Sequence, residues 1–174
     1  MDGIKSNAGG FEYKMDDVNI ASNWNPNSKE PEKMGGFNFG TEDKILRWLH
    51  RGDTIYDVEI PEDAEVVDIV ESATPHGVFR TNKIILKNPR KITDDMALEF
   101  YKKSTIPEIA YYKTLAVVST MKYEKTALAI LRDKVNKENI NEVLKEWNDF
   151  ITHGSDPTWN RRNEIVDKIE ERNK

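Results

Sequence analysis

The sequence predicts an α+β protein: an N-terminal mixed or antiparallel sheet with one helix over residues 1–92, followed by a bundle of four to five helices over residues 93–174, packed on it as one compact unit. Three observations lead there. Before residue 92, apolar side chains recur at every second position in short runs. From Thr93 onward they recur at helical spacing. Asn88-Pro89 closes the strand region with a turn signal. A chain of 174 residues is long enough to bury one real core.

Each element has a local reason. Phe11, Tyr13 and Met15 alternate with Glu12 and Lys14, which predicts a first, half-buried strand. Residues 22–36, SNWNPNSKEPEKMGG, are rich in Pro, Gly, Asn and Ser and read as a long polar loop with Trp24 as its anchor; loops of that length are often functional. Phe37 and Phe39 flank Asn38 in a second short strand. Thr41 then reads as the N-cap of a helix from Glu42 to Arg51, with Glu42 and Asp43 favoured by its dipole, Ile45, Leu46 and Leu49 inward, Trp48 at the margin and Gly52 at its end.

The period returns to two in Ile55–Ile60, where Tyr56, Val58 and Ile60 point one way and Ile55, Asp57 and Glu59 the other, until Pro61 removes a ladder donor. Val66–Val70 is the next apolar stretch. Pro75-His76-Gly77 turns the chain toward Val78–Arg80 and a strand at Lys83–Lys87. Thr93 caps a helix bearing Met96, Ala97, Phe100 and Tyr101, and Ser104 or Thr105 caps the next, with Pro107 and Glu108 in its first turn. Helices at 106–121, 123–136 and 139–151 follow as antiparallel hairpins. Asn139 and Glu142 form a capping-box pattern for the last of these, whose inward stripe is Ile140, Val143, Leu144, Trp147, Phe150 and Ile151. Asp156 and Pro157 start a final helix with Ile165, Val166 and Ile169 inward.

Composition narrows function. Charged residues make up 33% and the formal net charge is −5, which disfavours nucleic-acid binding through a basic face. The chain has no cysteine, so disulfides, thiolate metal sites and cysteine nucleophiles are excluded. The sequence has no apolar run of membrane-span length and begins without a signal-peptide core, so the expected location is cytoplasmic, away from membranes. His50, His76 and His153 are far apart and lack ligand spacing, so no metal site is expected. No cofactor is implied by spacing alone, since neither GxGxxG nor a Walker pattern accompanies Gly35, Gly36 and Gly40.

The charge is uneven. Residues 1–90 hold 16 acidic and 11 basic side chains of the totals of 31 and 26, so the whole excess lies in the first half. Asp53, Asp57, Glu59, Glu62, Asp63, Glu65, Asp68 and Glu71 run without a Lys or Arg among them; Arg80, Lys83, Lys87, Arg90 and Lys91 follow. The acidic run admits three readings. One is a solvated strand face that discourages edge pairing. Another is a carboxylate site for acid–base or metal chemistry. The third is a face that docks a basic protein partner. The last makes Asp53, Asp57, Glu59, Glu62, Asp63, Glu65 and Trp24 the partner-binding candidates. Arg80, Thr81, Asn82 and Lys83 form a polar cluster that holds an anion or pairs internally with the acidic strand.

At GGFNFGTEDKILRWL followed by IYDVEIPEDAEVV the chain resembles part of an ADP-ribosyltransferase core, in which a Gly-Phe-x-Phe strand precedes a helix and a Val-Glu-Val-like strand. That resemblance implies an NAD-using transferase with a nicotinamide or anion pocket near Phe37, Phe39, His76, Arg80 and Lys83. From Gly36 to Ile151, including PHGVFRTNKIILKNP, the chain also resembles an uncharacterised family of small bacterial and phage proteins. This implies a protein that binds and inhibits host machinery, and it is the leading expectation. A structural or assembly component is the third.

Overall fold

The computed structural model describes residue 5, residues 10–70 and 76–153, residues 167–169 and residue 171. Glu71, Pro75, Asp156, Pro157, Ile165 and Val166 lie outside the described residues, as do the side chains of Ile151 and His153. The protein is α+β, and its contacts group into two compact units: residues 1–44 with 51–92, and residues 45–50 with 93–174.

The first unit carries two three-stranded antiparallel sheets. One has the order β1 (Val18–Ile20), β6 (Lys83–Lys91), β3 (Thr54–Glu59); the other has β2 (Phe37–Gly40), β5 (Val78–Thr81), β4 (Val66–Asp68). Ile84 and Leu86 of β6 and Phe37 of β2 are buried together. Phe11, Tyr13, Met15, Ala21, Phe39, Tyr56 and Ile60 pack against them. Phe11 meets Phe37 edge-on at 5.1 Å between ring centroids, a favoured aromatic geometry.

The first strand is not where alternation placed it. Phe11, Tyr13 and Met15 do reach the core, but around them only Glu12 and Met15 make isolated bridges, and the strand is Val18–Ile20. The chain bends at Asp16, whose φ is 55°. Asn19 then holds the bend. Its buried side chain accepts from the Lys14 amide at 2.7 Å and donates to the Lys14 carbonyl at 2.9 Å. An amide side chain thus does for Lys14 what a neighbouring strand would do, which the alternation pattern could not reveal.

Other boundaries moved for identifiable reasons. The segment Glu42–Arg51 is a 3₁₀ helix, and Thr41 does not cap it, because its hydroxyl donates to the Gly77 carbonyl. Three residues per turn align Leu46 and Leu49, both buried, and leave Ile45 and Trp48 half-buried. The stretch 22–36 contains a short helix, α1 (Pro31–Met34), whose Met34 is buried, so Trp24 is not the sole anchor. Gly36, at φ 75°, lies so close to its neighbours that a Cβ would fall 2.6 Å from the Thr81 carbonyl oxygen and from the Trp24 ring. Val58 is 38% exposed rather than inward. Strand β6 continues past Asn88-Pro89 to Lys91, because the register shifts between Ile55 and Asp57 and Asn88 takes φ 51°, a bulge that absorbs the proline.

The second unit is helical: α2 (Asp94–Lys103), α3 (Ala110–Thr120), α4 (Glu124–Lys134) and α5 (Ile140–His153). Helix α3 is apolar almost all round, with Leu115, Ala116, Val117 and Val118 fully enclosed, and it packs on both α4 and α5. Such a helix belongs at the centre of a bundle. Its buried Thr114 and Ser119 return their hydroxyls to the carbonyls four residues back, Ala110 and Leu115. It begins later than Ile106, because Pro107 and Glu108 close tight turns onto the Ala110 and Tyr111 amides. Thr93 caps α2 as expected, accepting from the Met96 amide. Asn139 does not make a capping box; its side-chain oxygen accepts from Asn136 and its amide donates to Lys134. Ile140, Val143 and Trp147 are buried along α5.

Replacing Leu86 with Ala is expected to cost about 2–5 kcal/mol, and Asn19→Ala about 1–3 kcal/mol, since it strands the Lys14 backbone groups. Ile109→Ala, at a 60% exposed position, is expected within about 0.5 kcal/mol of wild type. Urea unfolding of the three variants measures the order.

Candidate functional site

The acidic run and the basic run meet as neighbouring strands. Antiparallel pairing sets β3 beside β6, and the charges then pair across the strands: Asp53 with Lys91, Asp57 with Arg90, and Glu59 with Lys87. Asn88 adds an amide bond to Asp57 at 2.9 Å, and Thr54 donates its hydroxyl to Asp53 at 2.7 Å. Just past the end of β3, Asp63 pairs with Lys83. Hydrogen bonding from Lys91, then from Thr54, holds the Asp53 carboxyl below its ordinary 3.8. Lys83 does the same for Asp63, and Glu59 raises the Lys87 ammonium above its ordinary 10.5. Opposite charges at contact distance favour the ionised forms. These pairs are solvent-exposed, and added salt screens them.

A second arrangement forms where the two sheets join. The link between β5 and β6 passes through Thr81, Asn82 and Lys83. The Asn82 side chain accepts from the Glu65 amide at 2.9 Å, and the Glu65 carboxylate accepts from the indole N–H of Trp24. Trp24 is bridged to Gly35, and the Asn25 amide donates to the Met34 carbonyl at 2.8 Å, so both ends of the 22–36 stretch are stitched together. Beside this corner the turn after β3 presents Glu62 and Asp63, both exposed, and Val66 is 45% exposed.

The structure therefore divides the sequence candidates. Trp24, Asp63, Glu65 and Lys83 come together with Glu62 at the corner. Asp57 and Glu59 on β3, and Asp53 just before it, run away from the corner, each with a β6 partner. Of the residues grouped as a nicotinamide or anion pocket, Phe37 is buried in the core and Phe39 packs against the same cluster while stacking on Phe79 at 5.1 Å, Arg80 donates to the Gly35 carbonyl at 3.0 Å, and His76 bonds Asp68 at 3.1 Å. The internal pairing of the 80–83 cluster with acidic neighbours is seen at Lys83. His50 stands edge-on to Phe150 at 6.0 Å. Among the described residues no group of three His, Asp or Glu side chains is placed to hold a metal ion. Asn82 and Val66 were not singled out individually by the sequence. Asn82 needs Glu65 as a tertiary neighbour to acquire a role, and Val66 reads locally as one residue of an apolar strand.

The helical unit holds its own polar junctions. Asp94, at the start of α2, accepts from the Lys125 and Thr126 amides and from the Thr126 hydroxyl, capping the N-terminus of α4. Tyr101 donates to Asp133 at 3.1 Å; burial, then this bond, pushes its phenol well above the ordinary 10. Lys134 lies 4.7 Å over the Tyr111 ring and also pairs with Glu108. These contacts tie helices together, and the raised phenol pKa keeps Tyr101 neutral.

The chain matches no protein-family model, no curated protein and no solved structure. Among the described residues no helix is long and apolar enough to cross a membrane.

The titration of the ladder has a definite sign. Asp53 and Asp63 have folded values depressed below 3.8, so their contribution is present above that value and is lost as pH falls through the lower folded values. Lys87, raised above 10.5, contributes below that value and loses its contribution as pH rises through the higher folded value. The midpoint of thermal unfolding is expected to drop below about pH 4. The drop should be smaller in Asp53→Asn with Asp63→Asn, and smaller in about 1 M salt. Calorimetry across the acid range measures it.

Proposed function

We propose that the protein acts by binding another protein, as a small cytoplasmic inhibitor of a host component in a phage or mobile-element setting, and that the corner around Trp24, Glu62, Asp63, Glu65 and Val66 is the surface it uses. The observation that carries the choice of surface is the unequal fate of the carboxylates. Asp53, Asp57 and Glu59 are each matched by a β6 base, and so is Asp63 by Lys83, but the Asp63 side chain is 74% exposed against 42–54% for the other three, and Glu62 beside it on the turn is exposed and in no salt bridge among the described residues. Next to them lie an aromatic ring and an exposed aliphatic residue. Protein interfaces combine these parts: apolar anchors give the burial, and rim charges steer and orient the partner. The complementary partner surface is basic with an apolar centre. Trp24 is already positioned by its bond to Glu65, so little side-chain freedom is lost on docking. The resemblance to small bacterial and phage proteins supports the inhibitory setting.

The test compares two charge reversals in affinity capture from the bacterial host. A protein captured stoichiometrically by wild type is expected to be lost, by at least about tenfold, on Glu62→Lys with Asp63→Lys and to be retained on Asp57→Lys with Glu59→Lys. The opposite pattern would return the binding face to β3. Retention by both variants would remove the acidic surface from the reading altogether. Circular dichroism of each variant establishes that the fold persists.

A further inference from the structure

The outward face of the β1–β6–β3 sheet carries an apolar stripe at one margin. Val18 stands opposite Ile85, and Ile20 opposite Lys83; directly opposed residues of an antiparallel pair share a face. Val18 is 39% and Ile20 61% exposed. Among the described residues β1 pairs with β6 alone, so its other side is an edge. The ladder fixes which groups face that edge. The Ala21 amide donates to the Asn82 carbonyl at 2.9 Å, toward β6, and hydrogen-bonding direction alternates along an antiparallel strand. Asn19 and Ala21 therefore face β6, and the N–H and C=O groups of Val18 and Ile20 face outward. In agreement, the Val18 N–H is met by the Asp17 carboxylate at 2.8 Å, a side chain covering an edge donor.

We propose that this edge is a self-association site, on which a second copy of the chain adds its own β1 antiparallel about Asn19. Such a pairing sets Val18 opposite the second copy's Ile20 and Ile20 opposite its Val18, joining the two sheets into one of six strands. Both rows are apolar against apolar, and the outward N–H and C=O groups of residues 18 and 20 supply the ladder bonds, the Val18 N–H leaving Asp17 for the second copy's Ile20 carbonyl. The charges allow it. The same register places Asp17 opposite Ala21 and Asp16 opposite Ser22, so no carboxylate meets a carboxylate, and the nearby lysines, Lys83 and Lys87, are already paired with Asp63 and Glu59. Two-fold contacts require such self-matching of one patch. A foreign strand carries no such guarantee, because the two acids at one end would select its sequence. The edge adjoins the corner at Lys83, which stands opposite Ile20 and pairs with Asp63, but the pairing uses the backbone of β1 and the corner uses the turn after β3, so a substitution at Ile20 tests this reading by itself.

Sedimentation of the wild-type protein over a rising concentration series is the first measurement, and a reversible monomer–dimer equilibrium is expected. Ile20→Lys is expected to weaken it by at least about tenfold by placing a charge in the apolar row, and Ile109→Ala, at an exposed apolar position of the helical unit, to leave it unchanged. The register is read separately. The chain has no cysteine, so Val18→Cys and Ile20→Cys each introduce its sole thiol. Opposed residues in such a pair lie about 5.5 Å apart between Cα atoms, within disulfide reach. Two copies of the same position lie about 8–9 Å apart, beyond it. An equimolar mixture of the two variants is expected to cross-link under mild oxidation at least about tenfold more than either alone. A wild type that stays monomeric at every concentration overturns the proposal. So does association unaffected by Ile20→Lys, or equal cross-linking in the mixture and in the separate variants.

Discussion

Strand β6 has to serve two neighbours and two faces at once, and the first unit is organised around that demand. Among the described residues it is the central strand of its sheet, paired on both edges. Its inward residues Ile84 and Leu86 form the core with Phe37, and its outward and terminal residues supply Lys83, Lys87, Arg90 and Lys91. A nine-residue strand with Pro89 inside it persists because the bulge opposite Tyr56 removes the need for a ladder donor there. Losing the alternation of β6 would empty the core and unpair the charges together.

The charge distribution follows from the same geometry. An acidic segment followed by a basic one looks like two opposed surfaces when read in line. Folded, the two segments lie side by side, and the long-range field of each is largely cancelled by the other at contact distance. Beyond β3 the acids continue on a turn, where Asp63 still pairs with Lys83 and Glu62 is exposed. Beside that turn the indole N–H of Trp24 bonds the Glu65 carboxylate, which holds the ring in place.

The helical unit is held by different means. Helix α3 is buried because nearly every side of it is apolar, and α4 is anchored at its start by Asp94, some thirty residues upstream. A carboxylate at a helix N-terminus satisfies donors that the helix itself leaves unpaired. Here that carboxylate comes from another helix, so the cap also sets how α2 and α4 lie against each other.

The contrast between Phe11 and Asn19 separates what the chain settles locally from what folding decides. Alternation of Phe11, Tyr13 and Met15 correctly marked side chains bound for the core, because burial follows hydrophobicity whatever the backbone does. It misplaced the strand, because strand identity depends on a hydrogen-bonding neighbour, and that neighbour, β6, is more than sixty residues away. The same division applies to the site. The residues of the acidic run, Trp24 and the 80–83 cluster were legible as types. That the β3 acids would be matched by bases, that Phe37 would be spent on packing, that Asn82 would find Glu65, and that Ile20 would remain on an open edge were not. By itself the sequence determined the α+β class, the helical second half and the location of its charge, since these rest on periodicity and composition. The tertiary structure decided which charges and which apolar groups stay available at the surface, since availability depends on partners brought close only by the fold.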